Sequence, residues 1–261
     1  MKKYLFFLAA FIPALASAAV KTQVVEYKQG GATLQGFMAW DDTVPGKRPG
    51  ILVAHAWKGL DDFTKTETTK LAEMGYVAFA LDIYGKGIRP TDQAECAKQS
   101  GFYKTDRALL RGRATAGLKE LQKNKSVDPD KIAAIGFCFG GTTVLELARS
   151  GAPLKGVVTF HGGLSTPTPA DAANIKAKVL ALHGGDDPYV KKEEVDAFVD
   201  EMKKGKVDWQ LNQYSGAVHG FMEPGNGNDP SKGLAYNQQA AERAWKAMSD
   251  FFDEIFKTTT H

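Results

Sequence analysis

The sequence predicts an α/β fold: one domain built on a mostly parallel sheet, with helices on both faces and an antiparallel N-terminal edge. Three observations carry this. Short apolar runs alternate along the chain with longer amphipathic ones, the pattern of strands and helices taking turns around a parallel sheet. The strand-like runs are apolar at successive residues, which fits burial on both faces. One of them, residues 131–136, leads through a glycine-bracketed turn straight into a helical pattern.

Taken in order, residues 21–40 alternate polar and apolar and predict an antiparallel hairpin at the sheet edge. Residues 50–54 read as a buried strand, 60–74 as a helix, 76–81 as the next strand and 104–123 as a long helix. Residues 85–101 read as a loop over the carboxyl end of the sheet. Residues 131–136 form a strand that enters a helix near Phe139. Residues 156–160 and 177–182 are two more strands, separated by a polar, proline-containing loop. Residues 191–203 are helical, 208–214 a strand by alternation, and 237–256 a closing amphipathic helix.

The chain has 261 residues, enough for one domain with a substantial core. No repeat, low-complexity linker or second domain interrupts it. With 43% hydrophobic and 24% charged residues, disordered and collagen-like classes are excluded. A net charge of +3, with no basic cluster interleaved with aromatics, excludes a nucleic-acid footprint. The first residues read as a secretory leader. Lys2 and Lys3 precede an apolar stretch from Tyr4 to Leu15, and Ala16-Ser17-Ala18 gives the small-residue cleavage pattern. The expectation is a signal peptide over residues 1–18, cut after Ala18, and a mature domain over 19–261. That stretch is too short to span a bilayer and no other is long enough, so the mature protein is expected to be exported, secreted or periplasmic, with no membrane partner.

Sheets of this kind place their chemistry at the carboxyl ends of the strands. The run Gly136-Phe137-Cys138-Phe139-Gly140-Gly141 lies between strand and helix, where a nucleophile is held on a sharp, strained turn. Glycine on both sides removes Cβ atoms that would crowd it. The adjoining helix N-terminus favours a thiolate. The main-chain N–H of Phe139 would face a developing oxyanion, with a second donor near Ala56 and Trp57. His183-Gly184-Gly185-Asp186-Asp187-Pro188 follows a later strand and offers two carboxylates, and His219 follows the last strand in a glycine-rich loop. Nucleophile, acid and histidine in that order make a catalytic triad pattern.

These motifs resemble the dienelactone hydrolase family of the α/β-hydrolase superfamily. The resemblance runs from about residue 24 to 256 and is carried by His55-Ala56-Trp57-Lys58-Gly59-Leu60, Ala80-Leu81-Asp82-Ile83-Tyr84-Gly85, and the stretches 127–141, 183–190 and 214–221. It implies a hydrolase of carboxylic esters or lactones with Cys138 as nucleophile, His219 as base and Asp187, which precedes Pro188, as the acid. Asp186 is left as a loop carboxylate. The oxyanion would rest on Phe139 and Trp57, and Tyr84, Tyr189, Phe221 and Trp57 are the expected pocket walls. The family places a glutamate after the first strand, where this chain has Ala56. It holds a substrate carboxylate with arginines, where this chain has Lys86 and Glu223. A lysine binds a carboxylate as a point charge and Glu223 repels one, which points away from dienelactone itself.

The other chemistries are weaker. His55, His161 and His183 could meet Asp187 at strand ends, but there is no metal-ligand spacing and no paired cysteines, so neither a metal nor a cofactor is expected. With only Cys96 and Cys138 present, the competing reading is an exported, non-catalytic protein of the same fold, its Cys138 buried or silenced by a disulfide to Cys96. The expected partner is a small-molecule ester or lactone.

Overall fold

The computed structural model describes residues 20–257. The leader expected over residues 1–18 lies outside the described residues. The chain forms one eight-stranded sheet in the order β1-β2-β4-β3-β5-β6-β7-β8. β1 (Val20–Gln29) and β2 (Ala32–Asp41) make the antiparallel hairpin at one edge, and β2 pairs antiparallel with β4 (Val77–Leu81). From β4 onward every pairing is parallel, through β3 (Arg48–Ala54), β5 (Val127–Phe137), β6 (Gly156–Phe160), β7 (Lys178–Gly184) and β8 (Trp209–Tyr214).

The continuous apolar runs have the expected cause. In β3, Leu52 and Ala54 face one core while Ile51 and Val53 face the other. The same alternation splits Ile132 and Ala134 from Ala133 and Ile135 in β5. Strand side chains point to opposite faces in turn, so a sheet covered on both sides needs apolar residues at both parities. The first core is closed by α3 (Arg107–Gln122), α4 (Phe139–Arg149) and α5 (Lys192–Lys204). The second is closed by α1 (Asp62–Glu73) and α6 (Gln238–Phe256).

One expectation is corrected. The segment 85–101 is not a plain loop: α2 (Gln93–Thr105) occupies much of it. The helix then breaks at Asp106, whose carboxylate caps α3 by accepting the N–H of Leu109. α2 buries only Cys96, Ser100 and Tyr103, a face too polar and small to register as an apolar stripe. Its start was legible nonetheless. Asp92 accepts the N–H of Glu95, an aspartate with a glutamate three residues on, which is the spacing of a capping box.

A buried ionic cluster ties α4, α5 and the first core together. The Arg149 guanidinium is fully buried and grips Glu201 through two bonds of 2.8 Å, with Glu146 at 3.0 Å and the Leu164 carbonyl at 2.8 Å. Arg111 reaches the other oxygen of Glu146 at 2.9 Å and Asp171 at 2.7 Å.

Candidate active site

β5 ends at Phe137, and the next residue, Cys138, turns the chain into α4 with φ +52° and ψ −113°. A non-glycine residue with positive φ is strained and persists only where its surroundings force it. Here the surroundings are main chain. A Cβ on Gly136 would lie 2.0 Å from the Gly140 carbonyl oxygen, and one on Gly140 would lie 2.1 Å from that of Ala54. The Cys138 N–H is tied to the Phe160 carbonyl at 3.0 Å. Helix α4 is thereby pressed against β3 and β5 with the thiol at its N-terminus. Replacing Gly140 with alanine is therefore expected to force backbone apart, costing about 3 kcal/mol, and to lower activity along with the denaturation midpoint. A variant with the wild-type midpoint would contradict this packing.

The predicted acid and histidine meet the thiol. His219 Nε2 lies 3.1 Å from Cys138 Sγ, and its Nδ1 lies 2.7 Å from Asp187 Oδ2. The other Asp187 oxygen accepts the N–H groups of Tyr189 (2.8 Å) and Val190 (3.2 Å), so the carboxylate is oriented by its own loop. Asp186 points elsewhere and accepts the N–H of Gly216 at 2.9 Å. His219 is pinned by main chain on both sides: its N–H bonds the Gly233 carbonyl, and its carbonyl accepts from Ala235. Sequence reasoning passed over that 220–237 segment, which carries only short turns of 3-10 helix.

Burial pushes the Cys138 thiol up, but the charge and hydrogen bond of His219 outweigh it, helped by the charge of Lys104 and the N–H of Phe139, and hold it below the ordinary thiol value. Burial works against a charged His219 as well. The Cys138 thiolate, hydrogen bonds to Asp187 and Cys138, and the Asp187 charge overcome this and raise it to about 10. Both shifts favour a thiolate–imidazolium pair.

The cysteine opens into a cavity of about 360 Å³. Trp57, Tyr189 and Phe137 line it, and Tyr189 stands edge-on to His219 with 5.4 Å between ring centroids. Phe139 is the first residue of α4, where an N–H has no intrahelical acceptor. Three expected contacts are corrected. Lys86 is bound to Glu26 at 2.6 Å and is not part of the cavity wall, because Lys86 follows β4 on the side of the sheet's hairpin edge. Tyr84 is buried behind the wall, donating to the Trp57 carbonyl at 2.9 Å and packed on His55 and Phe139. Phe221 is fully buried against His161 and Tyr214. Ala56 does line the cavity, so no carboxylate stands at that position, while Glu223 lines it paired to Lys58 at 3.1 Å.

Cys96 and Cys138 are both free thiols, and Cys96 is buried with its Sγ near the Pro90 carbonyl. Both His55 nitrogens are spent on main chain: Nδ1 lies 2.7 Å from the Ala56 carbonyl and Nε2 accepts the N–H of Ile83. Sequence reasoning missed Gln93, Lys104 and Arg107, which also line the cavity. All three belong to α2 or to its junction with α3; Gln93 falls in the segment read as loop, and Lys104 and Arg107 at the start of the helix read over 104–123.

A parallel sheet with a reactive side chain on a strained strand-to-helix turn and a histidine beyond the last strand defines an α/β-hydrolase. Comparison with known proteins narrows this. The dienelactone hydrolase family model matches residues 34–256, and the chain belongs to that family of ester and lactone hydrolases. A dienelactone hydrolase-like promiscuous phosphotriesterase from metagenomic libraries is 42% identical, with a TM-score of 0.86 over 91% of this chain and 99% of its own. A Saccharolobus solfataricus relative carrying the name "Putative carboxymethylenebutenolidase" is 28% identical over 265 residues, 88% of this chain and 98% of the relative. Protein usf of Aquifex pyrophilus is 29% identical over 237 residues, 89% of this chain and 98% of that protein.

Proposed function

We propose that the protein hydrolyses carboxylic ester or lactone bonds through a Cys138–His219–Asp187 triad. The observation that carries this is the unbroken chain of contacts, 3.1 Å from thiol to imidazole and 2.7 Å from imidazole to carboxylate, at the wall of a cavity. The Cys138 thiolate attacks the carbonyl carbon, and the oxyanion rests on the N–H groups of Phe139 and Trp57. His219, protonated in the resting pair, gives its proton to the leaving alkoxide. It then takes one from water, which cleaves the thioester and restores the thiolate. Asp187 holds the Nδ1–H and so fixes which nitrogen faces the sulfur. No carboxylate at position 56 is needed, since the imidazolium itself stabilises the thiolate. The leader-like residues 1–18 support work outside the cytoplasm.

The pH dependence tests it. A thiol held below its ordinary value stays ionised above that lowered value and loses reactivity as pH falls through it. His219, raised to about 10, loses its proton as pH rises through that value. We expect kcat/KM on a short aryl ester to rise from acid to a plateau at neutral pH and to fall near the His219 value. The acid limb should coincide with the rate of Cys138 alkylation by iodoacetamide. Alkylation that inflects at or above the ordinary thiol value would reject the ion pair.

A further inference from the structure

We propose that His55 is a positioning residue for the oxyanion site: its neutral imidazole fixes and polarises the Ala56–Trp57 peptide, whose N–H faces the developing charge. This role rests on the triad reading, with Trp57 as an oxyanion donor. His55 follows β3 directly and is fully buried. Its Nε2 accepts the N–H of Ile83 at 3.2 Å. In a neutral ring the proton is then on Nδ1, which donates to the Ala56 carbonyl at 2.7 Å. Burial holds the ring below the ordinary histidine value, so it stays neutral. An apolar side chain would fill this space without the desolvation cost of an imidazole.

The Ala56 carbonyl and the Trp57 N–H are the two ends of one amide. A hydrogen bond taken by the oxygen polarises the group and makes its N–H a stronger donor. Here the oxygen takes two. The second comes from the Gly59 N–H at 3.2 Å and closes a tight turn over Ala56, Trp57, Lys58 and Gly59, the last at φ +81°. Tyr84 holds the next peptide from below, its phenol donating to the Trp57 carbonyl at 2.9 Å.

The same ring ties this turn to the other donor. His55 stands edge-on to Tyr84 with 4.8 Å between centroids, and the two rings lie 6.0 and 5.6 Å from that of Phe139. Main chain meets there as well: a Cβ on Gly140 would lie 2.7 Å from the His55 carbonyl oxygen. The N–H groups of Phe139 and Trp57 are thus set against each other through His55, from behind the cavity wall. His55 is not on that wall, so it acts on the reaction only through Trp57. Donors fixed in advance stabilise charge without turning at the moment of reaction.

The test separates charge stabilisation from nucleophilicity. Attack on an ester builds an oxyanion, whereas alkylation of Cys138 by iodoacetamide displaces iodide and builds none. His55→Met removes the imidazole, and His55→Gln keeps a donor and an acceptor. In His55→Met, kcat/KM on para-nitrophenyl acetate is expected to fall on the order of tenfold or more, through kcat. The alkylation rate and its pH profile should remain those of wild type, and His55→Gln should recover part of the esterolysis. The para-nitrophenyl ester of cinnamic acid gives a spectroscopic reading. The carbonyl stretch of cinnamoyl–Cys138 should lie lower in native wild type than in the unfolded thioester, and His55→Met should move it back. Equal losses in esterolysis and alkylation, or esterolysis unchanged in His55→Met, overturn the proposal. A native wild-type stretch equal to the unfolded one overturns it without any variant, so a variant that fails to fold does not shelter it. A wild type that is acylated on Cys138 but whose stretch ignores His55 rejects this inference alone. A wild type that takes no cinnamoyl group on Cys138 rejects the triad reading, and the role of His55 with it.

Discussion

Cys138→Ala is expected to lower ester turnover by on the order of ten-thousandfold or more, with binding of substrate to the cavity retained. The side chain occupies a position that no other nucleophile shares: it sits on the strained turn, it touches His219, and it faces the cavity. Alanine keeps the backbone and the walls and removes only the attacking atom. Cys138→Ser is expected to fall between the two. A serine hydroxyl ionises far less readily than a thiol, and this site is arranged to stabilise an ion pair rather than to extract a proton during attack. The measurement is kcat/KM on aryl esters and lactones for the three proteins. Mass spectrometry of the wild type, quenched during turnover, should find the acyl group on Cys138. Equal turnover by wild type and Cys138→Ala would end the cysteine mechanism, whatever the other contacts.

The second large effect is on stability. Replacing Arg149 with methionine is expected to cost about 3–5 kcal/mol. The substitution fills much of the same space, so the loss is not mainly a cavity. It leaves Glu201 buried without the charge that compensates it, leaves Glu146 to Arg111, and orphans the Leu164 carbonyl. The check is the urea midpoint, with the denaturant slope unchanged. A double replacement that also makes Glu201 apolar should recover much of the loss, because the penalty comes mainly from that uncompensated carboxylate. A single variant within about 1 kcal/mol of wild type would mean that the cluster is wetter or more adaptable than its geometry indicates.

How much of this was readable in the chain follows from the range over which each feature is determined. The strands of the parallel sheet were legible because burial on both faces writes itself into successive residues, as in Ile51-Leu52-Val53. The nucleophile turn was legible because Gly136 and Gly140 are required by close approach of backbone, a constraint that leaves few alternatives. The acid was legible as Asp187 rather than Asp186 only through the family pattern, since both carboxylates follow the same strand. The rest depended on tertiary placement. Lys86 was expected near the substrate, yet its loop turns it toward Glu26 on β1. Tyr84 and Phe221 are aromatic residues at strand ends, and nothing local distinguishes a wall from the core behind it. Arg107 and Lys104 were not singled out because their place on the cavity wall depends on how α2 and α3 meet.

The two halves of the proposed triad are held in different ways. Around the thiol, main chain abuts main chain, with no side chain free to rotate aside. Around His219 and Asp187, main chain also comes close, a Cβ on Gly184 lying 2.6 Å from the Ala217 carbonyl oxygen, but the imidazole and carboxylate are positioned by hydrogen bonds, those of His219 with Gly233 and Ala235 and those of Asp187 with Tyr189 and Val190. When an acyl group lengthens the cysteine side chain, the turn beneath it has nowhere to go. The displacement falls on the imidazole and the loops that carry it, which open at lower cost than packed strands do. On the proposed mechanism, admission of the hydrolytic water is then expected to be governed from the histidine side, with substitutions in segment 220–237 felt in deacylation before they are felt in attack.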